Sequence, residues 1–530
     1  MQRGRWPLGL LLWLAACRGR EATHGVVLEP GPRVVCDAPE ERSTVGPMET
    51  TMLRAEAAKK AWMWGVGVVA GDFDGDSHAD LFLPGFWESM LFLGRGNGRF
   101  VEASDRLPEA GMSSGAGGAA ADYDGDGDLD ILMTRFLASD VLLRNDDGVF
   151  VDVSASAGLS ADTARTVSAA WGDLDQDGDL DLFIGGYGEI DESEDDPQHA
   201  TFAPAEASYL YVNQGDGTLV DRSDALPAGI HDGYTYTAAW VDLDRDGWQD
   251  LYLVNDFGAS FPNRLLWNRR GVLVPDDNAH GLDIATTGMG LGVGDINGDE
   301  RDDLVVSAWD GNRLMVSGSG GRWFDWSSAA GVHNDRSRGQ KIAWGNELLD
   351  MNNDGILDVF MTYGWLDSTY PAAERQPDAL YLGSGDQVFV DDAPAWHVHH
   401  PTIGRGFVAH DFNGDGWLDL VRRDVAGPTL VSTSRCGDAA WLRVALAQPG
   451  MNSGAVGARI TAHIGDRTVS RVVFSGGTNH ASSGPPEVHL GLGTEEEVDD
   501  LVVAWPDGLV SHLGPVGTRR RLDIRRRALY

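Results

Sequence analysis

The feature that most constrains this chain is a nine-residue acidic pattern, D-x-[DN]-x-D-x-x-x-D followed by an apolar run, which recurs seven times. The copies begin at Asp72, Asp122, Asp173, Asp242, Asp295, Asp350 and Asp411, and read DFDGDSHAD, DYDGDGDLD, DLDQDGDLD, DLDRDGWQD, DINGDERDD, DMNNDGILD and DFNGDGWLD. Start to start they stand 50, 51, 69, 53, 55 and 61 residues apart. Recurrence at such a period marks a repeat architecture, in which units stack because none can bury its apolar face alone.

The spacing has a chemical reason. Calcium takes about six to eight oxygen ligands at roughly 2.3–2.6 Å, and a tight loop can aim alternate side chains inward. The expected ligands are Asp72, Asp74, Asp76 and Asp80 in the first copy, then Asp122, Asp124, Asp126 and Asp130, then Asp173, Asp175, Asp177 and Asp181, then Asp242, Asp244, Asp246 and Asp250. The last three copies offer Asp295, Asn297, Asp299 and Asp303; Asp350, Asn352, Asp354 and Asp358; and Asp411, Asn413, Asp415 and Asp419. Up to seven calcium ions are therefore expected, with weaker binding where Asn lowers the ligand charge. The seventh loop residue varies freely (His78, Asp128, Asp179, Trp248, Arg301, Ile356, Trp417), which suits a position that contributes its carbonyl. The pattern starts like an EF-hand loop but lacks Glu at the twelfth position and shows no helical flanks.

The flanks predict strands. Small or β-prone stretches such as Val66–Gly71, Ala116–Ala121, Ser168–Gly172, Thr237–Val241 and Gly290–Gly294 precede the loops, and runs such as LFL, ILM and LYL follow them. A second hairpin follows in most units, as in LFLGRGNGRFVEAS from Leu91, VLLRNDDGVFVDVS from Val141 and YLYVNQGDGTLVDRS from Tyr209. Four strands per unit predict an all-β fold: a seven-bladed β-propeller with calcium loops, plus a small C-terminal β domain.

At these residues the chain resembles the FG-GAP or VCBS repeat family, whose calcium-loop propellers include the integrin α-subunit head, over residues of about 50 to 435. Beyond the seventh loop, Trp441-Leu442-Arg443-Val444, Asn452-Ser453-Gly454-Ala455-Val456-Gly457-Ala458-Arg459, Leu490-Gly491-Leu492-Gly493 and Leu501-Val502-Val503-Ala504-Trp505-Pro506-Asp507-Gly508 resemble an ASPIC/UnbV domain. That domain follows VCBS propellers in the cartilage-acidic-protein group, and Met289-Gly290-Leu291-Gly292 is similar to that group's strand before a loop. The expected plan is a signal peptide over 1–16, a tether over 17–50, the propeller over 51–436 and an ASPIC/UnbV domain over 437–530.

The export reading rests on the N-terminus. Arg3 and Arg5 precede the apolar run Trp6 to Leu14, which is too short to span a bilayer, and Leu14-Ala15-Ala16-Cys17 closes it. This resembles a bacterial lipoprotein signal, which implies a lipid anchor on Cys17 and a location at the cell envelope or surface. The other cysteines, Cys36 and Cys436, are either a disulfide or two separate thiols. A formal charge of −40 argues against a nucleic-acid partner. The tether is rich in Pro, Gly, Glu and Arg, and the insertion Gly185 to Pro204 carries six acidic residues, read as a solvated loop.

Aromatic residues recur six or seven positions after the last Asp of a loop: Phe86, Phe136, Tyr187, Phe257, Trp309 and Trp365. A strand of about five residues, roughly 15 Å, separates them from the loops, so they belong near the opposite face of the ring. There they either pack between blades or meet a ligand. Catalytic signals are weak. Gly111-Met112-Ser113-Ser114-Gly115 matches G-x-S-x-G but leads into a strand, not from a strand into a helix, and His397, His399 and His400 read as a surface cluster in a loop. The function expected is a non-enzymatic calcium-binding adhesion module for a protein or glycan partner at the cell surface, touching the membrane through its lipid anchor only. The alternative is a carbohydrate-active enzyme, similar to polysaccharide lyases, or its targeting module.

Overall fold

The computed structural model describes residues 20–21, 25–34, 48–54, 66–188, 205–230, 233–333, 341–366, 376–425, 427–434 and 436–527. Each acidic repeat folds as a four-stranded antiparallel unit. The first consists of Val69–Gly71, Asp80–Leu83, Met90–Gly94 and Phe100–Glu102. The later units open with Gly115–Ala121, Ala164–Gly172, Thr235–Val241, Gly288–Gly294, Ala343–Leu349 and Gly404–His410. These opening strands pack against one another in sequence order, and they are rich in Gly and Ala because backbones converge there. Units two and three also share ladder pairs, Ala164 with Ala138 and Arg165 with Phe136, and so run as one sheet.

The units close on themselves. Between the first and second lie Val69, Phe82, Ile131 and Leu143; between the third and fourth, Phe183, Leu210, Trp240 and Leu251. Between the seventh and the first lie Val421, Val431, Leu81 and Phe92. The outermost strand of the seventh unit comes from the other end of the chain, Glu49–Arg54, antiparallel to Thr429–Thr433. An N-terminal strand in the last unit ties the two ends of the ring together and removes a free sheet edge.

The C-terminal module is a two-sheet β-sandwich. One sheet orders Arg20–Glu21, Leu509–His512, Asp500–Ala504, Arg459–Ile464 and Arg467–Val472; the other orders Val26–Pro30, Arg520–Arg526, Ala440–Ala447 and Glu487–Gly493. Leu442, Val444, Ile460, Leu490, Leu501, Val503, Trp505 and Leu522 fill the space between them. This corrects the tether reading of 17–50. Val26 to Pro30 pair residue for residue with Arg526 to Leu522, so this part of the segment is an edge strand of the C-terminal module. Its Val26, Val27 and Leu28 give enough β-prone apolar surface for pairing, which the composition of the surrounding segment concealed.

The two bodies interlock. A loop from Phe474 to Gly484 leaves the sandwich and runs down the inner strands of the ring. Ser475 Oγ donates to Ala120 O at 2.5 Å, Trp171 N to Ser475 O at 3.0 Å, Thr237 Oγ1 to Asn479 O at 3.0 Å and Ala70 N to Ser483 O at 2.8 Å. Asn479 N donates to Leu291 O at 2.7 Å and its Nδ2 to Phe407 O at 2.8 Å. His480 sits between Tyr236, tilted against it at 5.2 Å, and Trp344, edge-on at 5.3 Å. Every unit thus touches this loop. A Cβ on Gly67 would overlap Ala481 O, and one on Gly345 would overlap Asn479 Oδ1, which explains glycine at both positions.

Candidate metal centres

Each acidic loop connects the first strand of a unit to the second, in the same register throughout: Gly71, Ala121, Gly172, Val241, Gly294, Leu349 and His410 pair with the ninth-position Asp80, Asp130, Asp181, Asp250, Asp303, Asp358 and Asp419. The loops turn through two left-handed residues, at the fourth position (Gly75, Gly125, Gln176, Arg245, Gly298, Asn353, Gly414) and the sixth (Ser77, Gly127, Gly178, Gly247, Glu300, Gly355, Gly416). This fold-back brings the odd-numbered side chains together. The first aspartate accepts the sixth residue's N–H, as in Ser77 N to Asp72 Oδ2 at 2.8 Å, and the fifth accepts the seventh's, as in Asp128 N to Asp126 Oδ1 at 2.9 Å.

The ninth aspartate has a role that sequence reasoning missed. One oxygen accepts the N–H of the second loop residue and the other accepts an N–H of the third strand: for Asp130, Tyr123 N at 3.0 Å and Asn145 N at 2.8 Å; for Asp181, Leu174 N at 2.8 Å and Asn213 N at 2.9 Å. All seven units repeat this staple. Burial pushes these carboxyls up, Asp80 to about 7, Asp130 to about 9, and Asp181 and Asp250 to about 8. A second lone pair on each oxygen stays available to a cation.

Four loops gather three carboxylates whose oxygens lie within 4.8 Å of one another: Asp72, Asp74 and Asp80; Asp122, Asp124 and Asp130; Asp173, Asp175 and Asp181; Asp242, Asp244 and Asp246. Buried oxygens of Asp72, Asp74, Asp124 and Asp173 have no hydrogen-bond donor. Clustered, desolvated carboxylates without donors are unfavourable unless a cation joins them, and an all-oxygen donor set suits a hard divalent ion. These residues fit a metal. Among the described residues, the loops at Asp295, Asp350 and Asp411 show no such group.

At the opposite face, five of the six recurring aromatics meet in one cluster: Phe136 and Tyr187 inside it, Phe257, Trp309 and Trp365 at its margin, around Tyr234, Tyr236, Trp344 and the loop tip at Ala481. Tyr187 is fully buried and donates to Asp256 Oδ2 at 2.7 Å, so it and Phe136 are core residues, not ligand-facing ones. Packing between units claims them because their rings stand where the inner strands begin. Phe86 lies apart, edge-on to the exposed Trp87 at 5.0 Å. His397, His399 and His400 form no metal group among the described residues, and the half-buried His400 meets Thr50 Oγ1 at 3.4 Å. Ser113 is exposed in a loop, with its carbonyl accepting Arg135 Nε at 2.9 Å. Cys436 is disulfide-bonded. Cys17, Cys36 and the acidic stretch 189–204 lie outside the described residues.

The fold and loops define a β-propeller of acidic-loop repeats interlocked with a C-terminal β-sandwich. A model of the FG-GAP-like repeat matches residues 72–133, 242–306 and 350–421, and a model of the ASPIC and UnbV domain matches 448–528. The chain belongs with the FG-GAP-like repeat proteins that carry an ASPIC/UnbV domain. It is similar to Cartilage acidic protein 1 of Homo sapiens, 25% identical over 330 residues (57% of this chain, 48% of the relative), and of Mus musculus, 27% identical over 305 residues (55% and 45%). The chain spans about half the length of these curated relatives. Among solved structures it is similar to an Agrocybe aegerita lectin that recognises non-reducing terminal N-acetylglucosamine, at a TM-score of 0.38 and 15% identity (69% of this chain, 92% of that one). It is also similar to the rhamnogalacturonan lyase YesW, at a TM-score of 0.33 and 14% identity (73% and 79%). Likeness at these scores carries no inference about ligand.

Proposed function

We propose that this protein is an exported, non-enzymatic binding module: calcium in the acidic loops rigidifies one rim, and the opposite face presents a surface to a protein or glycan partner. The observation that carries the metal half is the set of buried carboxylate oxygens without donors, gathered within 4.8 Å of one another. The channel is filled by the loop from Phe474 to Gly484, so a partner meets the rim of the opposite face, where Trp87 is 58% exposed beside Phe86, and not a central pore. Lipidation of Cys17 would hold the protein at the cell envelope.

Melting the protein in calcium and in chelator tests the metal half, with a higher midpoint in calcium expected and equal midpoints refuting it. Binding of glycans and surface proteins by the wild type and by Trp87→Ala tests the rest; saturable binding weakened by the substitution is expected. Release of unsaturated or reducing ends from a polysaccharide would overturn the non-enzymatic reading. Labelling with radioactive palmitate, lost in Cys17→Ser, tests the anchor.

A further inference from the structure

Resting on that calcium reading, we propose that the seven loops are divided: the first four take the divalent cation, while the last three are held by fixed positive and amide groups of this chain and take none. The cations come from the C-terminal module. Arg443 Nη1 donates to Asp411 O at 3.0 Å and to Asp411 Oδ2 at 3.2 Å; Arg467 Nη1 donates to Asp354 O at 2.9 Å; and Arg459 pairs with Asp302, the eighth residue of the fifth loop, with Nη1 3.1 Å from Oδ1. Arg471, half-buried, acts electrostatically on Asp350, Asp295, Asp358 and Asp302.

The third-position amides work in the same direction. Asn352 Nδ2 donates to Asp354 Oδ2 at 3.0 Å and Asn413 Nδ2 to Asp415 Oδ2 at 3.1 Å, so each amide gives a carboxylate oxygen a donor that a metal would otherwise replace. Every buried loop carboxylate oxygen without a donor belongs to the first three loops, and among the described residues none belongs to the last four; the fourth loop stands with the first three by its gathered carboxylates, Asp242, Asp244 and Asp246. A guanidinium a few ångströms from a loop also repels an incoming divalent ion, strongly so where solvent is excluded.

Arginines touch the early loops too, in a different manner. Arg269 Nη1 reaches Asp244 Oδ2 at 2.8 Å and Asp246 Oδ2 at 3.0 Å, and Arg106 Nη1 stands 3.6 Å from Asp74 Oδ2. Their side chains are 44% and 35% exposed and can withdraw into water, whereas Arg443 and Arg459 are 12% and 14% exposed and fixed in the interface between the two bodies. Arg521, 26% exposed, reaches a main-chain oxygen of the first loop, Ser77 O at 3.2 Å. The C-terminal module also touches the second and third loops, Ser453 Oγ donating to Asp122 Oδ2 and Asn452 N to Gly178 O at 2.9 Å, through neutral groups.

Native mass spectrometry of the full chain, titrated with calcium alone, reads the division directly. Four ions per chain are expected; any other non-zero count overturns the division and leaves the calcium reading standing, and no bound ion overturns the calcium reading itself. The wild-type count needs no variant to fold. Asp124→Asn should then lose one ion and Asp354→Asn none. Loss of an ion in Asp354→Asn would overturn the assignment of the sixth loop to arginine.

Discussion

Asp130→Asn separates two roles that the acidic pattern superimposes. Asp130 is 1% exposed, and its two oxygens accept Tyr123 N at 3.0 Å and Asn145 N at 2.8 Å. Asparagine preserves the shape but turns one acceptor into a donor, so one buried backbone N–H loses its partner and faces another N–H. An unsatisfied buried donor costs about 1–3 kcal/mol, and that loss does not depend on metal. Asp124 is the control: its Oδ1 is buried without a donor and its neighbours are carboxylates, so Asp124→Asn removes repulsion in the metal-free state and a ligand in the loaded one. Melts of both variants in calcium and in chelator are the assay. Asp130→Asn should fall below wild type in both media, and Asp124→Asn only in calcium. If Asp130→Asn matches wild type in chelator and falls only in calcium, the ninth aspartate is a ligand without a staple role, and the reasoning from the hydrogen bonds fails.

Other outcomes follow from the interlocked loop and the N-terminal strand. Asn479→Ala strands Phe407 O inside the channel and should destabilise by about 1–3 kcal/mol, read by denaturant unfolding, with earlier proteolytic release of the C-terminal module. Arg459→Met leaves Asp302, 3% exposed, as an unpaired buried carboxylate; a loss of about 3–5 kcal/mol is expected in the same unfolding experiment, and a neutral result would show that water reaches the interface. Deleting residues 25–34 uncovers the strand Arg520–Arg526, and concentration-dependent association by light scattering should follow, since an open strand edge is a template for pairing.

The sequence by itself determined the repeats, their strands and the identity of the loop residues, because calcium-type loops and tight turns demand particular side chains at fixed local spacing. The aspartates at Asp72, Asp122 and Asp173 are legible for that reason, and so is the break in character after Asp419. Tertiary structure alone decided what non-local pairing controls. Nothing near Val26 or Glu49 says that one strand completes the sandwich and the other the seventh unit, since their partners lie at Arg526 and Thr433. The aromatics after each loop are periodic in sequence whether they face solvent or core; only the convergence of the inner strands on His480 and Ala481 makes Phe136 and Tyr187 interior. The unequal loops show the same limit: Asn352 and Asn413 hint at lower charge, but the arginines beside those loops come from the C-terminal module, Arg467 at 113 residues from Asp354 and Arg443 at 32 from Asp411, separations that no local pattern spans.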